Sequence, residues 1–196
     1  MKKNSILVCI ALILGLSLPL STYAVDNGTT TTQDLTLKVD GSALLAITSN
    51  TGAVSPTVSI SLTGASEAGA EVKTTVNDNT SRLKISSLVE DGKTRNISAQ
   101  ITAASSPMSS SGTQLFVTLT PQDTFNPALA NGGTTAGEVE LTDAITHDLV
   151  TGITTCWSGT AADNGYIINY RYAKKTGATS LKSVSLTITY TISGQV

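Results

Sequence analysis

Few residues in this chain could do chemistry, and they gather in one stretch. Residues 153–173, "ITTCWSGTAADNGYIINYRYA", hold Cys156 and the only tryptophan, Trp157, and the only histidine, His147, lies just upstream. A cysteine enzyme needs a thiolate beside a base, and an imidazole oriented by a third group. Cys156 as nucleophile, His147 as base and Asp143, Asp148 or Asp163 as orienting acid would supply the types. Such groups need only meet in space, however, and the local context of Cys156 matches no catalytic signature. A free cysteine is among the most buried of residue types, so packing is the preferred reading. Cys156 or Trp157 then faces inward with Ile153, His147 sits on a wet strand face, and no catalytic residue is assigned.

Other chemistries find less to work with. One histidine and one cysteine cannot complete the usual N/S shell of zinc, and the scattered acidic residues lack calcium-loop spacing, so no metal site and no cofactor is expected. No phosphate-cradling glycine loop runs into a helix, and no Gly-x-Ser-x-Gly elbow occurs. Some acidic pair could still converge as a glycosidase site, a minor alternative. The Asn-x-Ser/Thr triplets at Asn27, Asn79 and Asn96 arise readily in so Ser/Thr-rich a chain and are given no role. Tyr166, Tyr170 and Tyr172 share one strand face with Ile168. Outward, they would make a sugar-binding platform. Inward, they are core with hydroxyls near the rim, which is preferred because Asn169 and Arg171 are the natural water-facing partners.

The elements that must position these residues read as strands. Residues 1–24, "MKKNSILVCIALILGLSLPLSTYA", have the two lysines, apolar run and small closing residues of a secretory signal peptide cleaved after Ala24, with Cys9 inside the discarded part. Without Lys2 and Lys3 the chain keeps 10 basic against 14 acidic residues, with no basic cluster to attract nucleic acid. A single remaining cysteine cannot close an internal disulfide, so the core or a neighbour must supply stability. Residues 25–33 carry no periodicity and are expected to form a flexible arm.

From residue 34 onward the period is two. "DLTLKVD" puts Leu35, Leu37 and Val39 on one face, a denser "ALLAI" follows, and "TVSISLTG" alternates through Val58, Ile60 and Leu62. "SRLKISSL", "RNISAQITA", "QLFVTLT", "GEVELTD" and "SVSLTITYTIS" alternate likewise, separated by turn-rich pieces. The longest break runs from Pro121 to Gly137. Asp163, Asn164 and Gly165 are a tight-turn signal, read as a hairpin with Cys156 and Trp157 ending the incoming strand and the tyrosines lining the outgoing one. The expectation is all-β: one antiparallel β-sandwich, immunoglobulin-like or pilin-like, of about nine to eleven strands over residues 34–196.

The segments "ISLTGASEAGAEV", "TRNISAQITA", "LVTGITTCWSGTAADNGYIINYRYA" and "SVSLTITYTI" together resemble a family of small secreted β-sandwich proteins common in Bacteroidetes. That resemblance covers nearly all of the mature chain and implies fold and secretion, but no activity. A looser one, to pilins of the alternate chaperone-usher route, rests on the alternating strand at the start of the mature chain and the lack of disulfides. Residues 34–40 have two readings. The preferred one makes them the first strand of the chain's own sandwich; the other donates Leu35, Leu37 and Val39 to a neighbour's sheet, building a head-to-tail fibre.

The functional expectation is a secreted, non-enzymatic fimbrial, adhesive or matrix subunit at the cell surface or outside the cell, a periplasmic residence remaining open. Its partners would be further copies, other surface proteins or glycans, with no nucleic acid and no stable transmembrane anchor. A carbohydrate-binding module and a secreted cysteine hydrolase are the alternatives.

Overall fold

Alternating apolar residues on ten strands close over one another as two antiparallel sheets, a β-sandwich with no α-helix among the described residues. The computed structural model describes residues 33, 35–54 and 56–196. The expected signal peptide with Cys9, the arm up to residue 32 with Asn27, and Asp34 lie outside them. By its contacts the chain divides into Met1–Lys38 and Val39–Val196. In the first unit, the described residues are exposed and belong to no strand.

The second unit carries the sandwich. Its strands are β1 (Ser42–Ser49), β2 (Thr75–Leu88), β3 (Arg95–Ala104), β4 (Thr113–Pro121), β5 (Thr134–Thr135), β6 (Val139–Leu141), β7 (His147–Ile153), β8 (Cys156–Trp157), β9 (Tyr166–Lys174) and β10 (Leu186–Ile192). One sheet runs β1-β2-β9-β4-β6, with β8 also on β2, and the other runs β10-β3-β7-β5.

The period-two pattern decides what each strand buries, because successive side chains point to opposite faces. Leu83 and Ile85 of β2, Leu115, Val117 and Leu119 of β4, and Tyr166, Ile168 and Tyr170 of β9 turn inward from the first sheet. Ile97, Ala99 and Ile101 of β3, with Leu149, Val150 and Ile153 of β7, meet them from the second. Each fully buried aliphatic side chain is worth about 1.5–3 kcal/mol of transfer free energy, so this interior is the main source of stability. Leu149 and Val150 are adjacent yet both buried, and the β3–β7 register shifts beside Ile97. An irregularity in the ladder re-aims a side chain in this way.

Three expectations are corrected. Residues 35–40 do not form the first strand of the sandwich, which begins at Ser42. "TVSISLTG" keeps its alternation, with Val58, Ile60 and Leu62 half-buried and the residues between them exposed, but pairs with no strand among the described residues. The turn at Ala161–Asn164 forms, with the Asn164 amide donating to the Ala161 carbonyl at 3.1 Å, but it closes no hairpin. β8 and β9 both run antiparallel to β2, at Ser86–Ser87 and at Thr75–Leu83, so they follow one another along the same side of it. Turn chemistry marks where a chain bends; the pairing partner is set by tertiary packing. The long break from Pro121 to Gly137 holds a 3-10 turn at Leu129–Gly132 and the two-residue β5.

Candidate functional site

The corner that collects the rare residues is built on β2. Its outward side chains hold the connection between β8 and β9: Lys84 Nζ donates to the Thr160 carbonyl at 3.0 Å and Arg82 Nη2 meets Asp163 at 3.4 Å. Ser158 takes the place of a ladder residue, its amide bonded to the Ile85 carbonyl and its Oγ accepting from the Ile85 amide at 3.0 Å. Gly165 then brings the backbone onto β2 at φ +102°, where a Cβ would stand 2.3 Å from the Leu83 carbonyl oxygen. Only glycine fits that combination of positive φ and close approach.

Cys156 faces inward opposite Ser87 and is fully buried. Burial pushes its thiol up to about 11, away from the thiolate that a nucleophile requires. His147 sits at the far end of the seven-residue β7, where Nε2 lies 3.2 Å from Thr142 Oγ1. His147 pairs with Ala99 of β3 in one sheet, whereas Cys156 pairs with Ser87 of β2 in the other.

The three candidate acids go elsewhere. Asp143 accepts the Met108 and Ser109 amides at 2.8 and 3.1 Å, capping the 3-10 turn Met108–Ser110, and those hydrogen bonds hold its carboxyl below the usual range. Asp163 pairs with Arg82, and Asp148 is exposed on β7. The proposed nucleophile, base and acids are thus not brought together. Among the described residues, no group of three His, Cys, Asp or Glu could hold a metal ion.

The tyrosine face turns inward. Tyr166 donates to the Gly132 carbonyl and its ring lies 4.8 Å from that of Phe125, while the Tyr170 hydroxyl bonds across the sandwich to Tyr190 at 2.9 Å. Burial raises the pKa of all three phenols above the ordinary value. Tyr172 is half-buried and packs on the same core. Trp157 behaves differently: it is 47% exposed, level with Ser86 of β2, which in turn faces the exposed Leu44 of β1.

Two features carry no sequence signal. Arg95 is buried, and its Nη1 and Nη2 donate to the Ser193 and Leu88 carbonyls at 2.9 and 3.3 Å. It ties the chain's last residues to β2, together with Gln195, whose Oε1 accepts the Glu90 amide at 2.7 Å. The pattern of "TRNIS" foreshadows a strand, and nothing in it announces an inward guanidinium.

The second feature is exposure. Leu35, Leu37 and Val39 are 74, 84 and 53% exposed. Among the described residues, the edge strand β1, directly after them in sequence, pairs as a named strand only with β2. Compared with protein-family models, with curated proteins and with solved structures, the chain finds no match in any of the three.

Proposed function

We propose that this protein is a secreted, non-enzymatic structural subunit of the cell surface or extracellular matrix, of fimbrial or adhesive type, whose copies join by N-terminal strand addition. The observation that carries this reading is the segment Leu35–Thr36–Leu37–Lys38–Val39: its aliphatic residues alternate as in a strand, yet all three lie exposed and outside any sheet. Exposed aliphatics at strand spacing are stabilised when they enter a neighbour's sheet, where main-chain hydrogen bonds give affinity and side-chain pockets give register. One copy's segment in the next copy's body is a heterologous contact, and repetition produces an open fibre. Signal-peptide removal after Ala24 would set the segment close to the mature N-terminus.

Light scattering and negative-stain microscopy of the purified mature protein test the reading. Filaments or ladders are expected, and removal of residues 25–40 should leave monomers. A strictly monomeric full-length protein would overturn it. A second reading, glycan binding, draws on Trp157 alone, since Tyr166 and Tyr170 are buried. Its test is sugar titration followed by tryptophan fluorescence, with Trp157→Ala abolishing the response. The hydrolase alternative draws no support from a protonated Cys156 and a His147 bonded to Thr142.

A further inference from the structure

The sandwich is not equally closed on all sides. Its fully buried aliphatics belong to β2, β3, β4, β6, β7 and β9. The half-buried ones packed against them include Leu45 and Ile47 of β1, Leu186, Ile188 and Ile192 of β10, and Val58 and Ile60 of the unpaired segment. β1 and β10 each end a sheet, and they approach one another. The seam between them is therefore flanked by half-buried aliphatics.

The unpaired segment begins at this seam. After β1 the chain turns over residues 49–53, with the Ser49 amide donating to the Ala53 carbonyl at 2.7 Å, and Val54 forms one bridge with Thr48. The hairpin then stops. Pro56 has no N–H to continue it. Residues 57–62 form no backbone hydrogen bond among the described residues, although Val58 and Ile60 rest on the core. They are held to the core by side-chain contact alone.

We infer that residues 57–62 are a displaceable filler of the seam, and that residues 35–39 of a second copy are the strand that replaces them on the free edge of β1. The match is in pattern and in chemistry. Val58, Ile60 and Leu62 are three aliphatics at period two; so are Leu35, Leu37 and Val39. The incoming segment contains no proline and brings an N–H at every position, so it can form the ladder that the resident segment leaves unformed. Exchange keeps the apolar contacts and adds main-chain hydrogen bonds. The filler, meanwhile, shields a free strand edge that would otherwise pair indiscriminately.

This inference rests on the strand-addition reading, and one experiment separates the two. A fluorescent peptide of residues 33–41 is titrated into the mature Leu37→Asp protein, whose own segment is not donated to a neighbour, and into the same protein carrying Val58→Asp/Ile60→Asp. Hydrogen exchange of β1 and elastase cleavage within residues 57–62 are followed in parallel.

The expected results are peptide binding, slowed exchange of the β1 amides that face away from β2, and new cleavage in residues 57–62. Affinity should rise by about tenfold in the variant, whose filler has lost its apolar hold. If circular dichroism shows that variant unfolded, Val58→Thr/Ile60→Thr takes its place. Peptide binding with residues 57–62 still protected, or with unchanged affinity in the variant, overturns the filler and leaves strand addition standing. Peptide binding with displacement, when the unsubstituted mature protein forms no fibres, upholds the filler and overturns the fibre. No binding to either protein overturns both.

Discussion

The ladder β2–β9–β4 and the stretch of residues 57–62 carry the same sequence pattern and meet different fates. In the ladder, "YIINYRY" lies between two partners, and Tyr166, Ile168 and Tyr170 are buried while every intervening residue points away. In the other, "TVSIS" points Val58 and Ile60 at the same core but stays half-covered and unbonded. Alternation chooses a face; it does not guarantee a partner. A strand in the middle of a sheet gains contacts and hydrogen bonds on both sides, whereas an edge position next to a proline gains contacts alone.

The comparison breaks most clearly in the core. Ile168→Ala should destabilise the protein by about 3–4 kcal/mol in urea unfolding, because it opens a cavity between two sheets. Ile60→Ala should cost about 1 kcal/mol or less, since water already reaches that side chain. Equal losses would mean that residues 57–62 are as integral as β9.

The hydroxyl pair sharpens the same contrast from the other side. Tyr170→Phe should cost about 1–2 kcal/mol by leaving the Tyr190 hydroxyl buried and unpaired, and the Tyr170→Phe/Tyr190→Phe double variant should lose less than the sum of the two single changes. Additive losses would show that the bond across the sandwich adds nothing.

Asp143 provides a smaller effect with a pH signature. Its folded pKa is depressed by the Met108 and Ser109 amides, so its contribution is present above the unfolded value of about 4 and is lost as pH falls through the lower folded value. Asp143→Ala should therefore cost about 1 kcal/mol at pH 7, as the loss of a capping side chain does, and the gap to the unsubstituted protein should narrow in acid. A gap that widens below pH 4 would reverse the assignment. Last, Leu37→Asp should change monomer stability by no more than about 0.5 kcal/mol, as exposed positions do, while preventing assembly. A large loss of monomer stability would place Leu37 in the chain's own core.

Individual residues show why some of this was legible and some was not. Leu115, Val117 and Leu119 announce their inward face by spacing alone, and the structure buries all three. Asp163, Asn164 and Gly165 announce a bend, and a bend forms. That the bend joins two successive partners of β2 depends on Ser158 bonding to Ile85 and on Gly165 meeting Leu83, contacts between residues far apart in the chain. Cys156, His147 and Asp143 could be written down as a triad because composition carries no distances.

From sequence alone come the all-β class, the antiparallel sandwich and the inward face of most strands, because side-chain direction in a strand follows position with a period of two. Only the tertiary structure decided which strands pair, that Cys156 is sealed away from His147, that Arg95 grips the last residues, that Leu35, Leu37 and Val39 lie exposed, and that residues 57–62 pair with no strand among the described residues. Those outcomes depend on which distant backbone groups find one another, and a local pattern holds no record of that choice.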